Sequence, residues 1–356
     1  MAAGTAVYPG GSNTYVKDHR ATGNLVISFS RNPNKFPLAR YIQYRKVEKD
    51  AGYYLKITAE NAARVVGGLL TEFVWPDGAD APRRNSGTEK FAFHDYRTER
   101  YAPDFTLGYK SRDQASWDIQ AMESEFHVHQ TMTLRAQNVG AVLENTNNWD
   151  SSHILDVDDG TTDVPGNTDS WELSTTQRQD IKRSLNRGCD LIHKHTLGVV
   201  QRKDLQLVMT PATAMKIGES QEVIDFVKQA PDSWKMLQGE LSGLNSQWGM
   251  PDMLYGIPIV VEDTVVITTA RGATTPTYAY PLTDGHSFLL ARPGALVSNA
   301  ASGPSFSTIM AFFYEELTVE TKDDPDNRRV NGRVVDDFCI EPVAPVSGIF
   351  FRNCIE

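Results

Sequence analysis

Residues Trp117 to Glu144 contain no proline and a single glycine, Gly140. No other stretch restricts the fold as much. Such a run forms one continuous helix, about 42 Å long at 1.5 Å per residue. Ile119, Met122, Phe126, His129 and Ala136 recur at spacings of three, four or seven and share a face. Val128, Met132, Val139 and Val142 form a second stripe. A helix with two apolar stripes packs on two sides, so the rest of the chain must supply both partners.

The surrounding elements are mostly strands. Tyr41–Val47 and Tyr53–Thr58 carry β-favouring Tyr, Ile and Val. LQLVMT (205–210) reads as a buried strand. Thr210 and Pro211 then open a short helix, and Ser220 caps the next, which runs to Gln229. Ser174 to Gln177 has the form of a capping box for a helix reaching about Leu197. YGIPIVVED (255–263) and HSFLLARPGAL (286–296) read as strands. From Phe306 an alternating strand turns over DDPDNRRVNGR (323–333), returns as VVDDFCIEPVAP, and is followed by GIFFRN (348–353). Helices and strands are segregated, which predicts an α+β fold rather than a doubly wound parallel sheet.

One segment has no core of its own. Residues 76–90 are dense in Pro, Gly, Asp, Arg and Asn and lack aliphatic anchors. Their flanks, Thr71–Trp75 and Lys90–Tyr101, are strand-like and carry Phe73, Trp75, Phe91, Phe93, Tyr96 and Tyr101. This is a long hairpin with a polar tip. Exposed hairpin edges invite pairing with other chains, and large aromatics on them suit an interface. The tip is therefore expected to contact a neighbouring subunit.

Composition narrows the function. Hydrophobic residues make up 40% and charged residues 22%, as in an ordinary folded protein. The net charge of −10 argues against phosphate binding over the whole surface. Residues 1–50 nevertheless hold eight Lys/Arg against Asp18, Glu48 and Asp50, a net +5. Residues 145–175 hold seven acids and no Lys or Arg, which reads as a solvated loop. Three cysteines fit a reducing compartment better than a disulfide framework. No apolar stretch reaches the length of a membrane span and the N-terminus shows no signal pattern, so a soluble protein folded in a cytoplasm is expected, with no membrane partner.

Catalytic chemistry is not legible. His127 and His129, like His193 and His195, are two apart on helices and point to different faces, whereas a helical metal pair needs a spacing of four. Asp156 to Gly160 hints at a calcium loop, but its Gly is fifth rather than sixth and no Glu stands twelfth. No phosphate-binding loop and no nucleophile elbow is present. Cys189 reads as a small core residue, and Cys339 lies in a strand with no base in view. No enzyme, cofactor or metal site is expected.

The order of elements, extended arm, polar-tipped hairpin, long helix, mixed lobe and terminal hairpin, resembles the tailed-phage major capsid proteins of the Hong Kong 97 type. Trp75, Asp77-Gly78 and Pro82 fill places in a stretch similar to that family's extended loop. Trp117–Glu144 resembles its spine helix, LQLVMTPATAMKI its strand-then-helix stretch, YGIPIVVED its turn into a strand, and Tyr314–Asn353 its closing hairpin. The resemblance implies an N-terminal arm (1–40), an extended loop (41–108), a peripheral domain (109–210 and 306–356) and an axial domain (211–305). It implies a shell subunit enclosing double-stranded DNA in a virion, assembled in a bacterial host cytoplasm from hexamers and pentamers. A separate scaffolding protein, a portal and decoration proteins are implied as partners. Subunit contacts are expected at Trp75, Asp77, Arg83, Arg84, Lys90, Phe91, Phe93 and Tyr96, and at Asp324, Asp326, Arg328 and Arg329. Lys17, Arg20 and Arg31 of the arm are expected to face the genome. Lys90 and Asn353 are conceivable partners in the family's crosslink, but no crosslink is expected. An encapsulin-type compartment, which packages proteins, shares the fold; the basic first 50 residues favour a genome. An α+β enzyme would need an active site that the sequence does not display.

Overall fold

The structure is a computed structural model that describes residues 35–57, 77–78, 93–115, 117–157, 171, 180–228, 244–245, 248–269, 274–293 and 307–355. In chain order, a one-turn helix α1 (Leu38–Tyr41) and strand β1 (Gln43–Lys46) precede β2 (Ala51–Leu55) and β3 (Phe93–Arg97). β4 (Glu99–Tyr101), β5 (Asp104–Gly108) and α2 (Tyr109–Gln114) lead to α3 (Ile119–Glu144). β6 (Ile154–Asp156), α4 (Asp180–His195), β7 (Leu205–Met209), α5 (Pro211–Gly218) and α6 (Gln221–Lys228) follow. Short strands β8 (Leu244–Asn245), β9 (Met250–Pro251) and β10 (Met253–Leu254) precede β11 (Ile257–Val261), β12 (Val266–Ile267), β13 (Tyr278–Ala279) and β14 (Ser287–Ala291). The hairpin β15 (Ile309–Asp324) and β16 (Arg329–Pro342) and the strand β17 (Ile349–Arg352) complete the set.

The long helix forms as its sequence requires, with Gly140 inside it. The expected strand from Tyr41 begins later, at Gln43. Pro37 stands at the N-cap of α1, and Leu38, Tyr41 and Ile42, spaced as on a helix, are buried together.

The described residues divide into two compact units. The first comprises Thr98–Arg135 and Phe313–Phe338 with Lys35 and Phe36. Here β4 and β5 lie end to end along β16, Glu99–Tyr101 opposite Asp336–Phe338 and Asp104–Gly108 opposite Arg329–Arg333. Pro103 separates them. It has no N–H to give to the ladder, but its carbonyl accepts from Val334 N at 3.0 Å. Phe105 lies across Gly332 so closely that a Cβ there would sit 2.2 Å from the ring, and it meets His127 of α3 at 5.1 Å between centroids. Phe36 meets His129 edge-on at 5.4 Å.

The polar element of this unit is Arg135. Its Nε and Nη2 each donate to Asp336 at 2.6 Å, and its guanidinium lies over the rings of Phe313 and Phe338. Asp336 is fully buried; burial raises its proton affinity, and the guanidinium opposes that rise.

The second unit comprises Pro37–Arg97, Ala136–Phe312 and Cys339–Glu356, as far as these are described. Its sheet runs β10-β11-β7-β14-β17-β6. β7 is parallel to β11 and antiparallel to β14; β17 is antiparallel to β14 and parallel to β6. Every residue of β7 and β14 is buried, as in a sheet covered on both faces. On one face, α4 brings Gly188 against Phe351, Ile349 and Leu289. On the other, Phe288 and Phe350 stack at 4.6 Å beside Trp149, whose Nε1 donates to Leu143 O of α3 at 2.8 Å. Strand β14, from the 211–305 segment, thus pairs with β7 and β17, which lie in the two segments grouped with the long helix in the sequence reading. The buried apolar runs LQLVM, SFLLA and IFFR can be covered only in a common sheet.

Caps follow the sequence in α5 and α6: Thr210 Oγ1 accepts from Thr213 N, and Ser220 Oγ from Val223 N at 3.4 Å. The box at 174–177 lies outside the described residues. In the described helix α4, the N–H groups of Ile181 and Lys182 donate instead to Glu222 of α6, at 3.0 and 3.1 Å.

Arg135→Met should cost about 3–5 kcal/mol, because it leaves a carboxylate in a dry site. Adding Asp336→Leu should recover most of that loss, since an apolar pair of similar volume replaces both charges. Urea unfolding of the two variants checks this; a double variant as unstable as the single one would contradict it.

Candidate functional site

The residues that could do chemistry are absorbed by packing. No group of three or more metal-ligating side chains converges among the described residues. His127 Nδ1 lies 2.7 Å from the Glu123 carbonyl and stacks on Phe105. Burial pushes the Cys354 thiol far up and also raises Cys189. Cys339 Sγ donates to Glu341 at 3.2 Å.

Two buried polar groups stand out. Glu262 is fully buried and accepts from Tyr41 OH at 2.6 Å, Thr264 N at 3.1 Å and the Thr264 hydroxyl. Burial raises its carboxyl above the usual range, and the three donors moderate the rise. The second is His153, also fully buried, whose Nδ1 lies 2.7 Å from the Gly348 carbonyl. A carbonyl only accepts, so Nδ1 carries the proton. Nε2, 2.6 Å from His195 Nδ1, then accepts from His195. The Asp150 carboxylate, three residues earlier, favours the charged form of His153 and opposes the effect of burial. Burial holds His153 below the usual imidazole range, and the charge of His195 adds to this.

The exposed features are of another kind. β2 and β3 form a ribbon with Tyr53 opposite Asp95 and Leu55 opposite Phe93. Its inner face carries Tyr54 and Tyr96, which meet Phe312 at 5.7 and 4.8 Å, and Tyr54 OH donates to Glu341 at 3.2 Å. Its outer face carries Tyr53, 78% exposed, and Phe93, 67% exposed. Alternation along a strand produces this split: of two adjacent tyrosines, one goes in and one goes out. Tyr53 was not singled out in the sequence, though the YY pair inside a strand pattern was the available signal. Tyr96, expected at a subunit contact, stacks within its own chain.

The hairpin turn after β15 is polar and self-paired. Asp324 accepts from Asn327 Nδ2 at 2.9 Å and from Arg329 Nε at 2.8 Å. Asn327 first, then Arg329, hold its carboxyl below the usual range. Asp326 and Arg328 are exposed, and Arg328 adopts φ +50°. Along the strands, Arg333 pairs with Glu320, and Arg100 with Asp337 and Glu315. Asp77 lies in an exposed turn with Gly78. Trp75, Arg83, Arg84, Lys90, Phe91, Lys17, Arg20 and Arg31 lie outside the described residues.

No protein-family model and no curated protein sequence matches the chain. Solved structures do. A phage-related protein from Bordetella bronchiseptica RB50 is 13% identical, with 96% of this chain and 97% of that chain covered and a TM-score of 0.58. The mature capsid of bacteriophage PhiM1 is 11% identical over 92% and 89%, with a TM-score of 0.55. The capsid of cyanophage P-SCSP1u is 10% identical over 93% and 90%, with a TM-score of 0.53. The chain has the mixed α+β fold of phage capsid proteins, the Hong Kong 97 type, over nearly its whole length.

The folded-state proton affinity of His153 is depressed, so the stability it contributes is complete above the ordinary imidazole pKa, about 6.5. That contribution is lost as pH falls through the lower folded value. The melting temperature should therefore drop more steeply between pH 7 and pH 5 in the native protein than in His153→Gln. Parallel thermal melts decide it; identical slopes would refute the assignment.

Proposed function

We propose that this chain is a shell subunit that assembles with copies of itself into the icosahedral head of a tailed bacteriophage, around double-stranded DNA, and that it works without catalysis. Its site of action is the virion. The observation that carries the reading is the ribbon β2–β3. Its inner face is anchored on Phe312, and its outer face presents Tyr53 and Phe93 to solvent. Exposed aromatics on an anchored ribbon suit a contact with a neighbouring subunit, and the match to capsid structures over nearly the full chain supports a shell as the product of that contact. The polar segment 76–90 continues the same ribbon in sequence and extends the contact. Many modest contacts, repeated by symmetry, close a shell. Assembly from hexamers and pentamers, with a separate scaffolding protein and a portal, belongs to this reading. So does a genome-facing role for Lys17, Arg20 and Arg31.

The test replaces Tyr53 and Phe93 together with Ser. Both side chains are largely exposed, so the subunit should stay folded with a melting temperature within a few degrees of the native one. Closed particles in electron micrographs should fall at least tenfold relative to the native protein. Particles of normal yield and heat resistance from the double variant would overturn the assignment of this face.

A further inference from the structure

Helix α4 buries one face on the sheet and turns a basic stripe to solvent. Arg183, Asn186, Asp190 and Lys194 recur at spacings of three, four and four, and all four are exposed. The stripe is about 17 Å long at 1.5 Å per residue. Asn186, inside it, accepts from Arg202 Nη1 at 2.6 Å, which brings the short turn Arg202–Asp204 against the helix. Arg292 extends the same surface. Its backbone N donates to the Asp204 carbonyl at 2.8 Å, and its Nη2 donates to the Lys203 carbonyl. Arg183, Lys194, Arg202, Lys203 and Arg292 are thus gathered on one surface with only Asp190 and Asp204 among them, in a chain whose net charge is −10.

These cations are held differently from those beside the terminal hairpin. There Arg329, Arg333 and Arg100 meet the carboxylates of Asp324, Glu320 and Asp337. Here Arg202 and Arg292 are fixed by neutral oxygens, a side-chain amide and a backbone carbonyl. A neutral acceptor sets the direction of a guanidinium without cancelling its charge. Among the described residues, no carboxylate pairs with Arg183, Arg202, Lys203 or Arg292. The two acids are already engaged: Asp190 with Lys194 at 2.5 Å, and Asp204 with Gln201 N at 3.2 Å. The stripe contains no large apolar side chain, whereas the core of a protein–protein interface is apolar and depleted in charge.

We propose that this surface binds the phosphate backbone of duplex DNA without reading its sequence. A stripe about 17 Å long lies opposite roughly ten phosphate charges of a duplex. The planar forks of Arg183, Arg202 and Arg292 suit phosphate oxygens, and so few cations give a weak, salt-sensitive contact. The inference rests on the shell reading for its source of DNA and goes beyond it, because that reading puts the genome contacts in the arm, at Lys17, Arg20 and Arg31.

The test measures binding of the full-length protein to a short labelled DNA duplex of random sequence, by fluorescence anisotropy across a salt series. The triple variant Arg183→Gln, Lys203→Gln, Arg292→Gln removes three exposed cations. Thermal melts check its folding, and the pair Arg183→Gln, Lys203→Gln replaces it if the triple variant unfolds. Affinity at about 50 mM salt should fall at least tenfold, and the slope of log affinity against log salt should flatten by about 0.9 for each charge removed. Unchanged affinity and slope overturn the proposal, while native particles in electron micrographs would leave the shell reading standing. If a peptide of residues 145–175, with its seven acids, binds this face more tightly than the duplex, the partner is protein and the proposal fails. If the duplex binds through this face but the native protein forms no particles, the shell reading fails and the phosphate site stands.

Discussion

Strands β7 and β14 are buried along their entire length, and most of the structure follows from that requirement. A strand without a solvent face needs cover above and below and neighbours on both edges. Helix α4 supplies one cover, with Gly188 set directly on Leu289, Ile349 and Phe351. The stacked rings of Phe288 and Phe350 with Trp149 supply the other. The edges are satisfied by β11 beside β7 and β17 beside β14, and β17 comes from the far end of the described chain. Because the partners are so distant in sequence, this core joins regions that local patterns cannot connect.

That distance explains what the sequence could show. The helix 119–144, the buried strand 205–209, the caps Thr210 and Ser220 and the terminal hairpin all depend on local signals, spacing, capping and alternation, and all are present. Strand order was not legible, since β14 between β7 and β17 depends on which apolar runs find one another. The N-terminal cover of α4 by Glu222 was equally hidden: its donors and acceptor lie about 40 residues apart. Of the candidate contact residues, Phe93 is exposed and Tyr96 is turned inward. One residue of offset along a strand decides between the two, and only the register with β2 fixes it.

The described surface divides by chemistry. The outer charges of the terminal hairpin, Arg329 with Asp324 and Arg333 with Glu320, are paired within the chain and exposed, so each adds little stability. Two short ribbons, β2–β3 and β12–β13, each turn one face inward and expose Tyr53 with Phe93 and Ile267 with Tyr278 on the other. Alternation along a paired strand fixes which side chains face outward on each.

Gly140 and Gly332 constrain the sequence by the absence of a side chain. At each, a single added carbon would lie 2.2 Å from a neighbouring atom, the Pro281 carbonyl in one case and the Phe105 ring in the other. What these positions specify is an empty volume, and a volume leaves almost no trace in an alignment score. The capsid structures of like fold agree with this chain at only about a tenth of the residues. In this chain a backbone carbonyl fills the space at Gly140 and an aromatic ring fills it at Gly332. At these two points the fold is written into the chain as excluded matter rather than as a contact.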